Sequence, residues 1–308
     1  MSPADPRNLA ASVRQRLLNL ARERGEDFNF LLTAYGLERL MYRLGQSRHR
    51  QDFVLKGAML FRVWAGATYR PTRDLDLLGR GEAAIPRLER LFEEIWQTPV
   101  PADGLELEPA SVRGEEIREA QEYGGIGIRM TARLGTARIP LQVDVGFGDA
   151  VTPAAKEITF PPLLDAPPPV LYAYPPETVI AEKLQAMVLL GMANTRMKDF
   201  YDVWVIARRF SFEGQQLAEA ISATFRRRGT PLPDCLPVAL TLEFSEDDAR
   251  RQQWKAFLGR IGQQEGAPGL PEVVDALARF LAPPLAALQA NAAFHLRWPT
   301  GGPWIEAV

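Results

Sequence analysis

Two aspartates one residue apart, Asp74 and Asp76, interrupt the apolar run of "YRPTRDLDLL". Side chains of a strand alternate between faces, so this pair points to one side with Cα atoms about 6.5–7 Å apart. Leu75 and Leu77 then point to the other face, into a core. Two carboxylates on one face repel, and each resists ionising beside the other. A divalent cation between them reverses that cost. Mg²⁺ takes one or two carboxylates and completes its octahedron with water and substrate phosphates. A third acid, Asp144, sits among Val143, Val145 and Phe147 in "IPLQVDVGFGD". If its strand pairs beside the first, three carboxylates converge. Such a set holds two metals about 3.5–4 Å apart, the geometry that activates an attacking hydroxyl and a leaving pyrophosphate. The plainer alternative is an aspartate capping a strand end, or surface acids paired with Arg70 and Arg73.

Other segments carry weaker signals. In "VLKGAML", Gly57 follows Lys56 between a strand and a helix, where backbone N–H groups can approach a phosphate; a plain turn explains it as well. In "PPETVIAEKLQAMVLLG", Lys183 lies close to the apolar face of an amphipathic helix, with Val179, Ile180 and Met187 around it. An amine there is costly unless it meets an anion or snorkels to the edge of the stripe. On the first of those readings Lys183→Ala is expected to leave stability unchanged or higher. In "NTRMKDFYDVWVIARR", Asp199 and Asp202 stand at i and i+3, within reach of a cleft. A first-turn acid favoured by the helix dipole accounts equally well for Asp199.

The elements that position these residues follow from periodicity. Residues 8–24 and 27–44 read as amphipathic helices, with Asn8 or Ser12 capping the first and Asp27 the second. "DFVLKGAMLFRVW" reads as strand, glycine turn and helix, "RDLDLL" as a strand, and residues 82–97 as a helix with Pro86 in its first turn. Strands are expected at 105–112, 123–133 and 137–147, the last two joined as a hairpin by "LGT". Eight prolines between residues 148 and 178 predict an extended connector with little regular structure. Helices follow at about 176–191, 196–209, 213–228, 245–262 and 271–290, before an irregular tail.

Bulk properties bound the function. The chain has 308 residues, 46% apolar and 24% charged, which suits one large or two ordinary globular domains. A lone Cys235 and two histidines leave too few ligands for a zinc cluster, so a metal here is expected to be oxygen-bound. No apolar run of 18 residues and no basic-then-apolar leader occur, so a cytoplasmic protein with no membrane association is expected. The net charge is −2, yet residues 1–50 hold nine Arg and five acids, leaving −6 for the rest. With "FRRRG" at 225–229, this asymmetry points to an anionic partner or simply to solvated helix faces.

Taken together, "FVLKGAMLFRVW", "YRPTRDLDLL", "LQVDVGFGD", "PPETVIAEKLQAMV" and "RMKDFYDVW" resemble the AbiEii/AbiGii nucleotidyltransferase-like toxins. The likeness runs from about residue 10 to residue 210 or later, and "SVRQRLLNLARE" and "ERLMYRL" share it. It implies a polymerase-β-like α+β fold, in which a small mixed sheet carries the acids beneath N-terminal helices and a C-terminal helical domain. The implied divisions are a helical segment at 1–50, a nucleotidyltransferase core at 51–160, and a proline-rich connector with helical domain at 161–308. Gly57 matches the glycine of the family's first motif, Asp74 and Asp76 its D-x-D, and Asp144 its third sheet carboxylate. Lys183 matches the lysine of an E-K motif, and Asp199 and Asp202 match two further acids, with Lys198 in the basic place. Ala58 stands where the wider superfamily has serine, so one hydroxyl contact to phosphate is missing.

The resemblance implies metal-dependent nucleotide transfer from an NTP to RNA by the toxin of a toxin–antitoxin or abortive-infection system. Some members modify the acceptor end of tRNA. On this reading Asp74 and Asp76 bind Mg²⁺ (or Mn²⁺) and the triphosphate, and Asp144 completes a second metal position or serves as base. Lys183 neutralises phosphate, Asp199 or Asp202 orients Lys183 or the acceptor, and Lys56, Gly57 and Arg73 complete the nucleotide site. A cognate antitoxin encoded nearby is the expected protein partner. The rival readings are a small-molecule, antibiotic-type nucleotidyltransferase and a non-catalytic nucleotide-binding protein of the same fold.

Overall fold

The computed structural model describes residues 6–66, 72–108, 110–117, 124–263 and 266–307, the side chains of residues 6–8 excepted. Two compact units result: Met1–Gly148 with Lys156–Ala173, and Asp149–Ala155 with Tyr174–Val308.

The first unit contains helices α1 (Pro6–Arg24), α2 (Phe28–Gln46), α3 (Leu60–Ala65) and α4 (Ile85–Trp96). Its strands are β1 (Phe53–Lys56), β2 (Asp74–Gly79), β3 (Leu105–Leu107), β4 (Arg113–Ile117), β5 (Gly125–Leu134), β6 (Ala137–Phe147), β7 (Lys156–Thr159) and β8 (Val170–Ala173). They form one eight-stranded sheet in the order β3-β5-β6-β2-β1-β8-β7, with β4 also on β5. Strands β2 and β6 run parallel, as do β1 and β8; the β5–β6 hairpin and the β1–β2 pair are antiparallel. The architecture is the expected α+β arrangement with a mixed sheet.

Alternation sets which face is buried. Leu75, Leu77, Val143 and Val145 are fully buried, whereas Asp74, Asp76, Gln142 and Asp144 between them are half-exposed. Helix α2 packs on the buried face: a Cβ on Gly36 would lie 2.7 Å from Leu141 Cδ2. Asp27 caps α2 as expected, accepting the Phe30 N–H at 2.8 Å. This helix also carries buried charge to the ends of the sheet. Arg43 pairs with Asp103 at 2.5 Å, and Arg39 donates to the Pro167 carbonyl at 2.9 Å. Buried Glu38 accepts the Leu163 N–H at 2.6 Å and pairs with Arg39 at 2.8 Å. Burial pushes the Glu38 carboxyl above its ordinary range, against the pull of Arg39 and the Leu163 amide.

These contacts explain three departures from the sequence reading. The N-terminal helices are not a segment apart, because α2 covers the sheet. The proline-rich stretch is not structureless: "KEIT" and "VLYA" lie between its proline clusters, pair with each other as β7 and β8, and extend the sheet beside β1. Arg39 and Glu38 hold the intervening loop through Pro167 and Leu163. The strand expected at 105–112 ends at Leu107, and a separate β4 follows it. Ser12 lies inside α1 and caps nothing; Arg70 and the Asn8 side chain fall outside what is described.

The second unit is mainly helical: α5 (Pro176–Leu190), α6 (Met197–Arg209), α7 (Gly214–Arg227), α8 (Leu242–Glu246), α9 (Asp248–Arg260) and α10 (Leu270–Gln289). The helix expected at 245–262 is broken at Asp247, which caps α9 by accepting the Arg250 N–H at 3.0 Å. The tail is more ordered than expected. Strands β9 (Phe212–Glu213), β10 (Leu296–Trp298) and β11 (Ile305–Glu306) form a small sheet. Trp298 and Trp304 anchor it, donating to the carbonyls of Ala207 at 2.8 Å and Phe280 at 2.9 Å.

The α2–β8 contact can be tested. A Cβ on Gly45 would lie 2.6 Å from the Val170 carbonyl oxygen, a backbone atom that cannot rotate away. Gly45→Ala is expected to lower stability by about 1–3 kcal/mol, the usual cost of overpacking. Urea unfolding measures it, and an unchanged midpoint would show that β8 does not pack as described.

Candidate active site

Asp76 and Asp144 are register partners on parallel neighbouring strands, and Asp74 is the partner of Gln142 two residues earlier. Neighbouring strands lie about 4.8 Å apart, so the two carboxylates start side by side on the half-exposed face. The row continues on both flanks: Lys56 pairs with Asp76 across β1–β2, and Gly127 pairs with Asp144 across β5–β6. Gly127 sets no side chain beside Asp144. The Gln142 amide donates to Asp144 Oδ1 at 3.0 Å, which orients that carboxylate and leaves its second oxygen for other work. Gln142 was not apparent as a site residue; its only sequence signal is its place two residues before Asp144 on the same face.

Gly57 is required by space as well as by conformation. Its φ is +72°, and a Cβ there would fall 1.9 Å from Asp76 Oδ2. The Asp76 carboxylate therefore lies against bare backbone, in a position that any side chain at residue 57 would take from it. Arg73 is exposed immediately before β2.

The donor set suits a hard cation: three carboxylates and an amide on one face, with neither His nor Cys among them. Among the described residues, however, no group of three or more His, Cys, Asp or Glu side chains is gathered tightly enough to enclose a metal ion. Asp76 lies against Gly57 and Asp144 is turned to Gln142, so the three acids share a face without closing a cage. Mg²⁺ needs no cage, since one or two carboxylates with phosphates and water satisfy it. The residues fit a cation held jointly with substrate phosphates.

The other sequence-selected residues lie in the second unit. Lys183 on α5 meets both acids of α6: its Nζ is 2.5 Å from Asp199 Oδ1 and 2.9 Å from Asp202 Oδ2. Asp202 is 0% exposed and Lys183 17%. The sequence left open which of the two acids is engaged, and both are. Lys183 is thus neither a snorkelling surface lysine nor an awkward bare amine. The sum of the three charges is −1.

This geometry reverses the stability expected for Lys183 variants. Removing the ammonium leaves two buried carboxylates facing each other, and breaking such a set costs about 3–5 kcal/mol. Lys183→Met should lose that much in urea unfolding, and adding Asp199→Asn with Asp202→Asn should recover most of it. A Lys183→Met protein as stable as the parent would show that the ion cluster does not support the unit.

Comparison with known proteins agrees with the motifs. Residues 39–279 match the family model described as nucleotidyl transferase AbiEii toxin, type IV TA system. No curated protein matches the chain. Two solved Helicobacter pylori structures are similar in part. One, described as a nucleotidyltransferase, is 16% identical with a TM-score of 0.45, over 83% of this chain and 95% of that one. The other, JHP933, is 15% identical with a TM-score of 0.39, over 82% and 94%. No helix among the described residues is long and apolar enough to cross a membrane. With residues 39–279, most of its length, matching the family model, the chain belongs to the AbiEii nucleotidyl transferase toxins of type IV toxin–antitoxin systems.

Proposed function

We propose that this chain transfers a nucleotidyl group from a nucleoside triphosphate to a hydroxyl of RNA, at the acceptor end of tRNA, with release of pyrophosphate, in a reaction that depends on Mg²⁺ or Mn²⁺. The observation that carries the reading is the side-by-side placement of Asp76 and Asp144, with Asp74 on the same open face. Carboxylates gathered on one face of neighbouring strands suit a divalent cation, which would offset their charge together with substrate phosphates. When bound, the metal would be held by Asp74 and Asp76 and would offset the charge of the triphosphate. Asp144 Oδ2 takes the proton of the acceptor hydroxyl while Gln142 holds Oδ1. Gly57 keeps the Asp76 carboxylate against the backbone. Lys183 serves as an oriented ammonium donor toward phosphate, held by Asp199 and Asp202. Positioning and preorganised charge carry the rate.

An RNA acceptor is favoured over a small molecule by exposed arginines on α1, at Arg14, Arg16, Arg22 and Arg24, and on α7, at Arg226 and Arg227. Arg228 turns inward and drops out of that footprint. A neutralising antitoxin is the partner that the family implies.

Incubation with each labelled NTP and total RNA tests the reading. The parent should label RNA, and a chelator should stop it. Asp76→Asn and Gly57→Ala should each lower the rate by about 10²-fold or more. Full labelling in the chelator would reject metal dependence.

Arg14→Glu with Arg16→Glu separates the acceptor classes. RNA modification should weaken in this variant, and in the parent it should fall with salt by roughly 0.7 log units per log unit for each phosphate neutralised on a single strand. Equal modification by both proteins at two salt concentrations would remove α1 from the RNA footprint.

A further inference from the structure

The third arginine of "FRRRG" does not join its neighbours at the surface. Arg228 follows α7 directly, and its side chain is only 14% exposed. Its guanidinium gathers three acceptors within the second unit. Nη2 and Nε reach Asp149 Oδ1 at 3.0 and 3.3 Å, Nη1 donates to Gln185 Oε1 at 3.0 Å, and Nη2 lies 3.2 Å from Glu182 Oε1. Burial alone would weaken the charged form, but Glu182 and Asp149 outweigh it and hold the Arg228 pKa above its ordinary value.

Two of those acceptors sit on α5 at i and i+3, so they share a helix face. Gln185 is fixed from both ends, because its Nε2 also donates to Thr230 Oγ1 at 2.7 Å. Lys183 is the next residue after Glu182, about 100° further round the helix, and from there it reaches Asp199 and Asp202 on α6. Rotation of α5 that satisfies one face therefore sets the other. Lysine could not replace the fork, since its donors radiate from one nitrogen, whereas the planar guanidinium spreads its donors to bond Asp149 and Gln185 at once while lying against Glu182.

We propose that Arg228 is a positioning residue for Lys183: its fork on Asp149, Glu182 and Gln185 sets the rotation of α5, and with it the approach of the Lys183 ammonium to the two α6 acids. Its bearing on catalysis rests on the transferase reading above; its bearing on Lys183 does not.

Trace acylation of lysines, read by mass spectrometry of the folded protein, tests this without any need for activity. In the parent, Lys183 should react slowly, with exposed Lys156, Lys198 and Lys255 as internal references. In Arg228→Lys, which keeps the charge and loses the fork, Lys183 should react roughly tenfold faster, the scale of coupling within one network, while the references stay unchanged. Arg228→Met, measured below its own unfolding temperature, should show the same selective rise. If the parent transfers nucleotides, Arg228→Lys should lower kcat with little change in KM. Lys183 remaining as protected in folded Arg228→Lys as in the parent would overturn the proposal. So would an equal rise at every lysine, which marks general loosening. A parent that reacts as described here but transfers no nucleotide would reject the transferase reading alone.

Discussion

Two like charges held side by side are the constraint around which the first unit is built. Asp76 and Asp144 spring from paired positions on neighbouring strands about 4.8 Å apart, and their carboxylates turn apart, one against Gly57 and the other toward Gln142. The β2–β6 pairing that carries them does not depend on the acids. It is held from behind. Leu75, Leu77, Val143 and Val145 are fully buried on the reverse face, and each contributes about 1.5–3 kcal/mol by burial. A one-residue slip of β2 would turn Leu75 and Leu77 outward and bring Asp74 and Asp76 into the core. The apolar face therefore decides the register, and the acids follow.

The same logic extends to α2. A helix lying on the sheet could in principle be wholly apolar, yet this one buries Glu38, Arg39 and Arg43. Each is engaged with a loop that leads into a strand: Arg43 with Asp103 ahead of β3, and Arg39 and Glu38 with Pro167 and Leu163 ahead of β8. Buried ion pairs are poor sources of net stability but strong penalties against misplacement. In α2 they fix where two irregular segments dock, which apolar contact alone does not specify. Gly36 and Gly45 let the helix come close enough for those side chains to reach.

How far the sequence reveals this depends on the range of the interaction. Alternation in "RDLDLL" and "LQVDVGF" is local, and it showed both strands, their buried faces and the three acids. The β5–β6 hairpin and Gly57 were legible for the same reason. Strands β7 and β8 were not, because each is short, lies among prolines, and owes its place to partners far away in the chain. "FRRRG" read as one basic cluster by composition, whereas the end of α7 separates Arg228 from Arg226 and Arg227. The partners of Lys183 were both in view, on a helix correctly delimited, but periodicity within one helix does not say which neighbour it faces. The apolar setting of Lys183 was the signal that it needed an anion, and two buried carboxylates met that need.

That outcome changes what Lys183 can contribute. An ammonium flanked by two carboxylates carries little net attraction for an anion, so it is a weak neutraliser of a triphosphate. It is, however, a donor with few alternatives. Asp199 and Asp202 engage two of its N–H directions, so the cluster, rather than thermal averaging, fixes how the ammonium is turned. Preorganised donors need no reorganisation at the moment of reaction, and their value lies in direction more than in total charge. Within the second unit, the cluster gives Lys183 a direction and not a surplus of charge. That direction is kept only if the ion cluster of α5 and α6 is rigid. Burial of Asp199 and Asp202 supplies that rigidity, at the stability risk that a buried ion cluster brings.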